Sequence, residues 1–76
     1  MDIQDFIDEF ASQFDDTDAS EFQAETPFRE LEEWSSFLAL AIMAMIKSEY
    51  DVAITAQEMR DAETVQDLYD VVKSHC

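Results

Sequence analysis

The chain has 76 residues, 47% hydrophobic and 12% aromatic, with 19 Asp and Glu against 4 Lys and Arg for a formal net charge of -15. That length allows one small domain over residues 1–76, and the apolar content is too high for a disordered chain. The charge excludes nucleic acid as a partner, because binding it needs cations that displace counterions, and it favours basic protein surfaces.

Asp2 is placed to cap a first helix, in which Ile3, Phe6, Ile7, Phe10 and Phe14 recur at helical spacing and form one apolar stripe. The spacing predicts a helix to about Phe14. Residues 15–34 show no period, and that is long for a loop in so small a domain. Phe22, Phe28, Leu31 and Trp34 are expected to pin it to the core as an ordered loop. Pro27 blocks a helix interior there. The acids of "DDTDASE" do not make a calcium loop: the chain has no Gly for the sixth position, and counting from Asp16 the twelfth is Pro27.

Ser35 or Ser36 is a suitable N-cap for a second helix running to about Glu49. Acids stop at Glu33, and residues 37–46 carry no charge. Phe37, Leu38, Leu40, Ile42, Met43, Met45 and Ile46, with alanines between, cover nearly the whole circumference. Such a helix is central to a core or covered by a partner. In a chain this small, some of Leu38, Ala41 and Ala44 are expected to be exposed. Val52 and Ile54 in "DVAIT" should point inward along a short extended link. Thr55 with Glu58 has capping-box spacing for a short helix to about Asp61. Thr64, with Asp67 three residues on, caps a last helix whose inner stripe is Val65, Leu68, Tyr69 and Val72. The expected architecture is all-α: three main helices, one short one and a long loop between the first two.

The one cysteine, Cys76, is the last residue; it cannot form an internal disulfide, and it is too close to the end for prenylation. A frayed terminal thiol is expected. "MDIQDFIDEF" lacks the basic start of a signal peptide, and the apolar run of the second helix is too short to span a bilayer. These features point to a cytoplasmic, reducing compartment and to a monomer.

Catalysis by the chain itself finds no support. A nucleophilic serine needs a base, and the only histidine, His75, is penultimate and expected to be mobile. No HExxH, CxxC or Gly-rich phosphate loop occurs, so neither a metal nor a nucleotide is expected. The serine pair remains. A hydroxyl at a helix N-terminus is exposed, beside free N–H groups and a positive dipole end that favour an anion such as phosphate.

The order of elements, with a serine opening the second helix, resembles that of acyl carrier proteins. The family's Asp-Ser-Leu turn is matched here by Ser35-Ser36-Phe37. "TPFREL", with Phe28 and Leu31 three apart, is similar to the family's approach to that turn. "EYDVAIT" is similar to its exit from the second helix, and "AETVQDLYDVV" to its last helix. The resemblance spans nearly the whole chain. It implies a free-standing carrier with the acyl-carrier four-helix bundle, in which Ser36 bears 4'-phosphopantetheine received from coenzyme A through a magnesium-dependent phosphopantetheinyl transferase. Ser35 would serve the turn. Acyl intermediates would be held as thioesters and delivered to acyl-transferring or condensing enzymes of a fatty acid, lipid or polyketide-like pathway.

Three departures stand out. Ser35 replaces the usual aspartate, Glu33 stands where a glycine is usual, and the second helix has lost its acids except Glu49, with Leu38, Ala41 and Lys47 at the positions expected to face outward. Partner docking is therefore expected through Phe37, Leu38 and Ala41 on the apolar side, and through Glu30, Glu32, Glu33, Glu58 and Asp61 against basic surfaces. Two other readings remain: an aminoacyl or peptidyl carrier of the same fold, and an unmodified acidic adaptor that binds through the apolar face of the second helix.

Overall fold

The computed structural model describes residues 2–75. Four helices, α1 (Ile3–Ala11), α2 (Ser36–Tyr50), α3 (Ala56–Asp61) and α4 (Val65–Ser74), form a small acyl-carrier-type bundle, with no strand among the described residues. Two short 3-10 turns, Ala19–Glu21 and Phe28–Glu30, punctuate the loop between α1 and α2.

Asp2 caps α1 by accepting from the Gln4 amide at 3.2 Å. The helix stops at Ala11 rather than running to Phe14. Ser12 Oγ donates to the Glu9 carbonyl at 2.6 Å, and the amides of Gln13 and Phe14 bond three residues back, to Phe10 and Ala11. A hydroxyl competing for helix carbonyls and a tightened last turn are how such ends form. Phe14 is nevertheless buried, as the stripe requires.

The loop is ordered by what it touches. Phe22 and Phe28 are buried; Leu31 and Trp34 are half-buried against the same core. Phe10 meets Phe14, Phe22 and Phe28 with ring centroids 5.5–5.8 Å apart, and Trp34 closes the cluster at 4.9 Å from Phe28. Tilted and edge-on pairs of this kind add to simple area burial. The loop also completes α4. The first two amides of that helix, Val65 and Gln66, donate to the carbonyls of Thr26 and Ala24, and Thr64 Oγ1 takes the third, from Asp67.

In α2, Leu38, Ile42, Met45 and Ile46 face the core. Leu38 is thus buried, at 5% exposure, against the expectation that it meets partners or solvent, while Ala44 is exposed and Ala41 half-buried. The exposed large residues are Phe37 at 74% and Leu40 at 64%. A helix apolar all round carries no periodicity that says which side is inward; packing against α1 and the shared core chooses the phase. The helix ends at Tyr50, one residue beyond the expected Glu49, because Asp51 adopts φ 57°, ψ 36° and donates its amide to the Lys47 carbonyl. Aspartate tolerates this left-handed conformation better than most residues, which suits a chain with no glycine.

Val52 and Ile54 point inward, and the reciprocal capping boxes of Thr55 with Glu58 and Thr64 with Asp67 are both formed. Val65, Leu68, Tyr69 and Val72 are the buried face of α4. His75, expected to be mobile, is held: its Nε2 lies 2.9 Å from Glu58 Oε2 and ties the end of α4 to α3. The expectation for the Cys76 thiol lies outside the described residues.

Candidate functional site

Ser35 is extended, at φ -155° and ψ 169°, and its hydroxyl accepts from the Leu38 amide at 3.3 Å. That geometry assigns the cap to Ser35 and makes Ser36 the first residue of the helix. Ser36 is exposed, and among the described residues its hydroxyl makes no hydrogen bond. The amides of Ser36 and Phe37 likewise have no acceptor among the described residues, in contrast to the filled first turn of α4. The site therefore offers a free hydroxyl beside two open N–H groups at the positive end of a 15-residue helix.

From Ser36 an open groove of about 450 Å³ runs between α2 and α3. Its walls are Ala39, Leu40 and Met43 on one side and Ala56 and Met59 on the other, with Trp34 beside the serine. The volume falls in the range of small-ligand clefts. One wall is bolted from the loop: Arg29 Nη1 donates to the carbonyls of Met59 at 3.2 Å and Arg60 at 2.5 Å, satisfying acceptors that the end of α3 leaves without a helical partner. Sequence reasoning gave Arg29 no role. Its partners are backbone carbonyls 30 and 31 positions further on, which the order of residues does not mark.

The acids expected to meet partners divide into two groups. Glu30, Glu32 and Asp61 are exposed. Glu33 is half-buried and turned across the loop, and its carboxylate accepts from the amides of Asp15, Asp16 and Thr17 and from Thr17 Oγ1, at 2.8–3.0 Å. Desolvation pushes this carboxyl up, but the bonds from Asp15, Thr17 and Asp16 outweigh it and hold it below the ordinary glutamate value. Glu58 is held low by the Thr55 amide and then by His75. Both carboxylates are half-buried and already hydrogen-bonded within the chain, unlike the freely exposed Glu30, Glu32 and Asp61; nothing in the order of residues links Glu33 to amides 16 to 18 positions earlier. The first turn of α2 carries no acid, so the surface next to Ser36 is apolar. Among the described residues, no group of three or more His, Cys, Asp or Glu side chains is placed to hold a metal ion. No described helix is long and apolar enough to cross a membrane.

Comparison with family models matches residues 4–72 to the phosphopantetheine attachment site family. The chain belongs to that family. Comparison with curated proteins gave no match. Phosphopantetheine attachment domains are carriers that hold 4'-phosphopantetheine covalently and meet the transferase that installs it and the enzymes that use it. The residues here fit the group: a free serine hydroxyl to bear it, open amides for its phosphate, and an apolar groove leading away.

Proposed function

We propose that Ser36 is the attachment point of 4'-phosphopantetheine and that residues 1–76 form a single cytoplasmic acyl carrier domain serving a fatty acid, lipid or polyketide-like pathway. The observation that carries this reading is the exposed Ser36 hydroxyl, free of hydrogen bonds among the described residues and opening onto an apolar groove. Ser35 caps the helix and so leaves its neighbour available. The open amides of Ser36 and Phe37 favour the negative charge of a phosphodiester. When bound, the arm supplies a terminal thiol that holds an acyl group as a thioester. The chain's own contribution is delivery, because a tether replaces diffusion with a high effective concentration.

The apolar walls of the groove favour an acyl cargo over a polar aminoacyl one. Phe37 and Leu40, flanking Ser36, suit enzymes with apolar docking surfaces, and Glu30, Glu32 and Asp61 suit basic ones. The same exposed Phe37 and Leu40 favour a second reading, an unmodified adaptor. Incubation with coenzyme A, magnesium and a broad-specificity phosphopantetheinyl transferase, followed by intact mass measurement, separates the two. The carrier reading expects a gain of one phosphopantetheinyl group that is lost in Ser36→Ala and kept in Ser35→Ala. No gain, with the host's own transferase also tried, sinks it.

A further inference from the structure

Ser36 is presented by a short segment that contains no glycine and is held from two directions. Trp34 lies 4.9 Å from the Phe28 ring and stacks at 6.2 Å on Phe14, and its amide closes a turn onto the Leu31 carbonyl at 3.0 Å. On the other side, Glu33 reaches the far end of the loop. Its Oε2 accepts from the Asp15 amide at 2.8 Å, and its Oε1 accepts from the amides of Asp16 and Thr17 at 3.0 and 2.9 Å and from Thr17 Oγ1 at 2.8 Å. Four bonds to one carboxylate close the loop over residues 15–33 just before the helix that Ser36 opens. Charge-assisted bonds of this kind are shorter and stronger than neutral ones.

We infer that Glu33 is a positioning residue for the loading of Ser36: by gathering the amides of residues 15–17 it fixes the backbone from which the hydroxyl is offered to the transferase. The inference rests on the reading of Ser36 as the attachment point. It differs from a docking role, because a carboxylate already accepting four bonds from its own chain has little capacity left for a basic partner.

The test uses the full chain with Glu33→Ala, Glu33→Gln and Thr17→Val, and Glu25→Gln as a control that removes one exposed loop charge. Two quantities are read: hydrogen exchange at the amides of residues 15–17, and kcat and KM for transfer from coenzyme A by a broad-specificity transferase. For Glu33→Ala, exchange at those amides accelerates and kcat falls about tenfold with KM little changed, since a small misplacement of a reacting group is enough for such a loss. Glu33→Gln keeps one acceptor oxygen and recovers part of that rate. Thr17→Val, which loses a single bond from the other side, shows a smaller loss of the same kind, and Glu25→Gln matches the parent chain. Accelerated exchange with unchanged kcat makes the clamp structural only and overturns the inference. A raised KM with unchanged exchange overturns it in favour of a docking contact. Failure of the unsubstituted chain to load at all is the failure of the Ser36 reading itself, and the parent control reveals it separately.

Discussion

Adjacent serines at the head of α2 are set apart by one backbone conformation. The extended Ser35 turns its hydroxyl back onto the Leu38 amide, and Ser36, already helical, turns its own to solvent. Ser35→Ala should cost about 1 kcal/mol in urea unfolding, the usual loss for an N-cap, while transfer to Ser36 still goes to completion by intact mass. The sequence left the choice of cap open, since either serine satisfies the pattern; only the phase of α2 against the core decides it. Likewise, Glu33 and Arg29 were illegible because their partners are backbone groups far away in the chain, and backbone groups leave no mark in the residue order.

At the scale of elements, legibility followed the strength of local signals. The capping boxes at Thr55 and Thr64 were readable because both partners lie three residues apart, and the stripes of α1 and α4 because polar residues fill the opposite face. In α2 the polar residues are missing, and the expectation for Leu38 failed where Phe37 and Leu40 hold the exposed positions. The place of the groove between α2 and α3 could not be read, since it depends on how two helices distant in the chain come to stand side by side. Its apolar lining leads to a direct expectation. A chain loaded with a long fatty acyl group should melt at a higher temperature than the same chain loaded with acetyl, with each methylene that enters the groove contributing up to about 0.8 kcal/mol. Ala56→Phe, which adds bulk at the exposed start of α3, should remove that difference in calorimetry. A long-chain advantage that persists in Ala56→Phe places the cargo elsewhere.

For the whole molecule, five of the six phenylalanines are gathered inside and most of the charge outside. The core is small, and the net charge of -15 repels itself across a body only 30 × 24 × 20 Å. Raising ionic strength from about 0.01 M to about 1 M shortens the Debye length from about 30 Å, the length of the molecule, to about 3 Å. The melting temperature should therefore rise by several degrees over that range. The exposed Lys47–Asp51 pair, 2.8 Å apart, weakens in salt but contributes little, so it does not reverse the trend. A melting temperature that falls with salt contradicts self-repulsion as the dominant electrostatic effect. This expectation follows from composition alone, because net charge acts through distance and not through particular contacts.

Trp34 is the only tryptophan in the chain, and it is half-buried at the edge of the groove beside Ser36. The protein thus carries its own optical reporter, placed at the groove proposed to take the cargo. Occupation of the groove removes water from one side of the indole, so the fluorescence emission should move to shorter wavelength and become less accessible to acrylamide quenching. A single emitting residue lets that signal be followed without a label, through loading, transfer and release.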